Sequence, residues 1–147
     1  MKEKLFSRER FVRWGDCDPA GIIYAPRVYE YAMDTLEEFY MEVLGSSWMD
    51  LKVGSIVGTP VLRAEIEYVS PLVPEQKFTI TISIKDVGRS TVTYEMAGVD
   101  DSENQFFRVE VVMCFISQTD FESTDIPEDI RKPLLEYHDV CEETLRR

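Results

Sequence analysis

The sequence is poor in the residues that most catalytic centres require. Its 147 residues include one histidine, His138, and three cysteines, Cys17, Cys114 and Cys141, with no C-x-x-C pair. That supply of imidazole and thiolate does not suit a metal site, and no metal is expected. An odd, widely spaced set of cysteines does not read as a disulfide framework; it suits free thiols in a reducing compartment. No G-x-S-x-G elbow is present, so a nucleophilic triad would have to recruit His138, which reads as a surface or packing histidine beside Tyr137 and Asp139. Neither G-x-G-x-x-G nor G-x-x-x-x-G-K occurs, so no glycine-rich phosphate cradle is expected. Basic residues are short too: 16 against 28 acids, a net charge of −12, which disfavours nucleic acid as a partner. No apolar run approaches the roughly 20 residues of a bilayer span. The opening stretch from Met1 to Arg8 lacks the apolar segment of a secretory signal. A soluble, cytoplasmic protein with no membrane partner is expected, its dispersed acids forming a solvated surface.

What the chain does have is hydrophobic patterning: 44% of it is hydrophobic. Its length predicts one domain over residues 1–147, burying about two-thirds of its unfolded surface without a covalent staple. Residues 5–14 read as an opening strand. The segment from Gly15 to Gly21 then interrupts it with two Gly, a Pro and two Asp. Pro26 suits the first turn of a helix. From there Val28, Ala32, Leu36, Phe39, Tyr40 and Val43 recur at steps of three and four, and Gly45 reads as the C-cap. After an irregular or helical stretch through Trp48 and Leu51, four period-two patterns follow. They centre on Leu62–Tyr68, Phe78–Ile84, Val92–Met96 and Phe107–Phe115, the last running from about 105 to 117. Short links between the last three predict antiparallel neighbours. A closing helix is expected over about 126–145, restarted at Pro133.

A strand, a long helix with a broad apolar face, four strands and a terminal helix predict an α+β domain. Its antiparallel sheet should curl around the central helix. An unpaired sheet edge invites pairing, so a homodimer is expected, with a homotetramer as the further step.

With histidine, metal and phosphate loops set aside, the carboxylates remain. Asp16 and Asp18, at i and i+2 in a segment read as extended, should project to one side just ahead of a helix N-terminus. Free N–H groups there suit a developing oxyanion, and a nearby carboxylate can act as general base or nucleophile. The alternative is that both acids merely tie Asx-turns in a tight loop.

The stretch Trp14-Gly-Asp-Cys-Asp-Pro-Ala-Gly-Ile-Ile-Tyr-Ala-Pro26 resembles the signature loop of the hotdog-fold acyl-CoA thioesterases. It is closest to the 4-hydroxybenzoyl-CoA thioesterase family and its YbgC-like relatives. The likeness continues at Gly54-Ser-Ile-Val-Gly-Thr-Pro60 and covers roughly residues 5–120, the expected hotdog core. The resemblance implies hydrolysis of an acyl- or aroyl-CoA thioester, with coenzyme A part of the substrate and no cofactor. It implies that Asp18 is the catalytic carboxylate, that Asp16 supports the loop, and that the Ala25 backbone N–H is the oxyanion donor. Tyr24 and Met33 would lie around the pocket, Gly58 and Thr59 would be contributed to it by a partner subunit, and Arg89 and Ser90 would contact coenzyme A. Cys17 reads as a packing thiol.

Met33 stands where hydroxybenzoyl-specific relatives place an acid, and Asp34 lies about 100° further round the helix. An apolar acyl or aryl pocket is therefore expected rather than one reading a phenolic hydroxyl. Asp34 and Glu38 are fallback catalytic acids, otherwise solvated or paired on the helix. Coenzyme A is polyanionic and the chain is acidic, so local bases, Arg89 with Arg27 or Arg63, would have to form its binding patch. Two rival readings are a dehydratase or hydratase, which would need His138, and a non-catalytic acyl-CoA-binding or assembly module on the same fold.

Overall fold

The computed structural model describes residues 4–146; the ends of the expected 1–147 domain, and the first residues of the stretch read for a leader, lie outside that range. Five strands form one antiparallel sheet in the order β1 (Ser7–Phe11), β4 (Lys77–Val87), β5 (Thr91–Val99), β6 (Gln105–Cys114) and β3 (Val61–Tyr68). Two short strands, β2 (Val57–Gly58) and β7 (Ile116–Ser117), pair separately. The expected strand over 105–117 thus leaves the main sheet after Cys114. The central helix α1 (Ala25–Phe39) runs on as a wider π turn through Leu44 and stops at Gly45, whose φ of 70° is the left-handed cap the sequence predicted, and a single turn, α2 (Trp48–Asp50), follows.

Period-two alternation decides which side of the sheet is core. Phe78, Ile80, Ile82 and Ile84 of β4, Val92, Tyr94 and Met96 of β5, and Val109 and Val111 of β6 are all buried, in one cluster with Val28, Ala32, Leu36 and Phe39 of α1. Each such side chain contributes about 1.5–3 kcal/mol relative to exposure. The opposite face is polar. There Glu95 and Glu110 stand directly across from each other, a like-charge pairing offset by Lys85 (Nζ 2.9 Å from Glu110), Arg63 (3.0 Å from Glu110) and Arg108 (3.3 Å from Glu95). The α+β architecture predicted from the sequence, a sheet wrapped on a helix, is the one observed.

Gly98 on β5 lies opposite Phe107 on β6, and a Cβ at Gly98 would overlap the Phe107 ring. Gly98→Ala is expected to destabilise the fold by about 1–3 kcal/mol, the usual effect of overpacking, and denaturant unfolding measures it. An unchanged midpoint would mean that Phe107 has room to turn away.

Beyond Ser7 the free margin of β4 is taken over by the terminal helix, α3 (Glu128–Leu145). Tyr137 inserts its hydroxyl into the ladder, accepting from the Phe6 N–H (2.8 Å) and donating to the Ile82 carbonyl (2.6 Å). Cys141 Sγ accepts from the Ile84 N–H at 3.4 Å. The expected restart at Pro133 does not occur: the helix is continuous. A proline in its second turn removes one hydrogen bond, while Ile130, Leu134, Tyr137 and Cys141 bury a single stripe on both sides of it.

Candidate active site

The opening strand is shorter than predicted, because the backbone turns before the two acids. Val12 still pairs with the 75–76 turn, but Trp14–Asp16 forms one tight 3-10 turn. Cys17 then bridges Ile23, Asp18 N–H donates to Ile22 O (3.0 Å), and Gly21, with φ of 81°, returns its N–H to Asp18 O. The two carboxylates therefore do not form the common pair expected of an extended segment. Asp16 accepts from the Tyr31 hydroxyl and lies 3.8 Å from Arg27 Nε. Asp18 Oδ1 accepts the Ala20 N–H at 2.9 Å, which is the Asx-turn alternative, while Oδ2 takes no protein donor among the described residues. Cys17 packs its half-buried thiol against the core.

Helix α1 begins at Ala25 with proline in its first turn and no side-chain cap from Tyr24. The Arg27 N–H closes back on Tyr24 O, and Tyr24 N–H donates to Asp16 O, both at 2.8 Å. Among the described residues the Ala25 N–H has no acceptor. It is a bare donor at the positive end of a helix dipole. Beside it opens a cavity of about 360 Å³ lined by Ile22, Ala25, Val28, Tyr68, Phe106 and Phe107, among others. Asp18 does not line this cavity but is hydrogen-bonded to Ile22, which does. Tyr68 forms part of the wall, its hydroxyl donating to the Ala25 carbonyl at 2.8 Å.

The remaining predicted residues lie elsewhere in the single chain. Tyr24 is exposed and Met33 half-buried on α1, and neither lines the cavity. Gly58 and Thr59 sit at β2, after Ile56, whose φ of 54° is strained for a β-branched residue. Arg89, in the β4–β5 turn, is already paired with Asp125 and lies 3.4 Å from Ser123 Oγ, and the Ser90 carbonyl accepts the Phe115 N–H. Arg27 and Arg63 are likewise paired, with Glu30 and Glu110, so none of the three is a free cation. Glu38 is held by Arg8 and Arg10 (2.8 and 2.7 Å), the paired alternative, and Asp34 is exposed. His138 lies 3.5 Å from Glu142 on the terminal helix.

Sequence reasoning missed Tyr68, Phe106 and Phe107 as cavity residues. Their only signal was strand alternation, and the pairing of Tyr68 with Phe107 depends on β3 joining β6 across some forty residues.

The wrapped-helix fold and the loop-to-helix junction together define a family. A family model for the thioesterase-like superfamily matches residues 12–134. The chain belongs to that superfamily, and its architecture is the hotdog fold. It is similar to a 4-hydroxybenzoyl-CoA thioesterase of Pseudomonas sp. (strain CBS-3), 27% identical over 92 residues, 62% of this chain and 64% of that protein. It is similar also to a 1,4-dihydroxy-2-naphthoyl-CoA hydrolase of Nostoc punctiforme, 28% identical over 96 residues, 62% of each chain. The chain thus spans less than two thirds of the length of these curated relatives. A solved structure of a thioesterase superfamily protein from Jannaschia sp. CCS1 superposes with a TM-score of 0.82 at 26% identity, covering 92% of this chain and 94% of that one.

Proposed function

We propose that the protein hydrolyses a coenzyme A thioester of an apolar acyl or aryl group, giving the carboxylic acid and free coenzyme A. The observation that carries this reading is the unpaired Ala25 N–H at the start of α1, beside an apolar cavity of about 360 Å³ and one hydrogen bond from the turn that bears Asp18. A thioester carbonyl placed against that N–H would gain most as its oxygen becomes negative. Asp18, with Oδ2 free, would take a proton from the attacking water, or attack directly and be released by water. Either route breaks the carbon–sulfur bond and sends a proton to the departing thiolate. The cavity lining carries no charged side chain, which favours an uncharged acyl group.

The site would be completed by a second copy. The inner face of β3 is only partly covered, with Leu62 62% and Tyr68 51% exposed, and among the described residues no strand pairs with its outer edge. Pairing two β3 edges would cover this face and bring Gly58 and Thr59, just before the strand, toward the partner's helix start. Sedimentation is expected to give a particle of at least twice the 17.1 kDa chain mass; a monomer at micromolar concentration counts against this part of the reading. Three free thiols suit a cytoplasmic setting. Among the described residues no helix is long and apolar enough to cross a membrane.

Thiol release from acetyl-, palmitoyl- and benzoyl-CoA, with wild type beside Asp18→Asn, tests the proposal. Turnover by the wild type alone supports it. Binding without turnover of any of the three would favour the acyl-binding module.

A further inference from the structure

We propose that Tyr31 and Arg27 are positioning residues that act through Asp16 to fix the Asp18 turn against the start of α1, an inference that rests on the hydrolase reading above. The two side chains stand one helical turn apart on α1, at i and i+4, and reach the same carboxylate. Tyr31 donates its hydroxyl to Asp16 Oδ2, and Arg27 Nε lies 3.8 Å from Oδ1. The Tyr31 hydroxyl is also 3.1 Å from the Phe11 carbonyl at the end of β1, and its ring packs edge-on against Phe78 at 5.5 Å. One phenol therefore joins the last residue of the strand, the loop and the helix.

Asp16 is the part of the loop best placed to transmit that hold. Its carbonyl accepts the Tyr24 N–H, one residue before the Ala25 donor, and its own N–H is tied to Arg13 O. Two residues further on lies Asp18. The clamp thus fixes both ends of the proposed chemistry, the carboxylate and the oxyanion donor, from a residue that touches neither. Burial first, and then the bond to Asp16, push the Tyr31 hydroxyl up to about 12, so it remains a donor throughout the working range. The hydrogen bond to an ionised acceptor is of the strong class. Arg27 divides its charge between Asp16 and Glu30, which makes it the weaker partner.

Tyr31→Phe, Asp16→Asn, their double variant and Asp18→Asn would be compared on whichever of acetyl-, palmitoyl- and benzoyl-CoA the wild type turns over fastest. Amide hydrogen exchange at Tyr24 and Ala25 would be measured alongside. The expected result is a kcat lower by roughly tenfold in Tyr31→Phe with KM within about twofold, no further fall when Tyr31→Phe is added to Asp16→Asn, and faster exchange at Tyr24. Unchanged kcat and exchange in Tyr31→Phe, with Asp18→Asn inactive, overturns the clamp and leaves the hydrolase reading standing. Additive losses overturn it too, since the hydroxyl would then act by a route other than Asp16. Full turnover in Asp18→Asn removes the hydrolase assignment of Asp18 and the clamp's purpose with it. Should Tyr31→Phe fail to fold, Arg27→Gln reads the same junction, and unaltered Tyr24 exchange in that variant counts against the proposal.

Discussion

Asp18→Asn is expected to lower kcat on the best thioester substrate by about 10²-fold or more, the scale of a lost general base, while the protein stays folded. The substitution is close to isosteric, and its amide oxygen can still accept the Ala20 N–H that closes the turn at 2.9 Å. What disappears is the negative charge and the capacity of Oδ2 to take a proton. A thermal midpoint near that of the wild type, beside the collapse in thiol release, separates loss of chemistry from loss of structure. Turnover within a few-fold of the wild type would move the proton-taking role to another acid, and exposed Asp34 on α1 is then the first to replace.

Ala25→Pro is expected to produce the second large loss, about 10²–10³-fold in kcat, because it deletes a single N–H and little else. Proline is well suited to the first helical position, and the residue before it must be extended; Tyr24 already has φ −64° and ψ 121°. The helix itself should survive, since the Ala25 N–H bonds to nothing within the described chain. The stability change is expected to be small or favourable, from reduced freedom of the unfolded chain. Ala25→Val adds bulk to the cavity wall but keeps the donor, so comparable losses in both variants would point to crowding rather than to a missing hydrogen bond.

How far the sequence carried each part follows from how local the deciding physics is. The elements were legible because alternation and helical periodicity are written residue by residue: Phe78–Ile84 and Val28–Phe39 became core as read. The C-cap at Gly45 and the helix start beside Pro26 were legible because glycine and proline carry their own backbone preferences. The opening strand was overextended because Arg13 and Trp14 continue the pattern of Phe11 and Val12, while the tight turn that ends it depends on hydrogen bonds the pattern does not encode. Pro133 misled because its effect depends on where in a helix it falls and on what the helix buries. Of the candidate site, only the Asp18 turn and the helix start at Ala25, which are near in sequence, could be placed together beforehand. Tyr68, Phe106 and Phe107 reach the cavity through strand pairing, and Tyr31 reaches Asp16 by folding α1 back over the loop. The pairing of Arg89 with Asp125 joins the β4–β5 turn to the segment before α3, contacts that single-residue reasoning does not supply.

The hydroxyl that Tyr137 lodges between Phe6 and Ile82 limits which edges of the sheet another strand could reach. On the β1 side the ladder is interrupted by a side chain and its remaining groups at Ile82 and Ile84 are already spoken for, on a strand of five residues whose Arg8 and Arg10 turn back to Glu38. Beyond the five residues of β1, β4 therefore offers a further strand nothing to pair with at Ile82 and Ile84. On the β3 side, among the described residues, no strand pairs with the outer edge of its eight residues. In the proposed pair joined through β3, the terminal helix leaves only the five-residue β1 as an outer margin, a short edge on which further strand addition gains little.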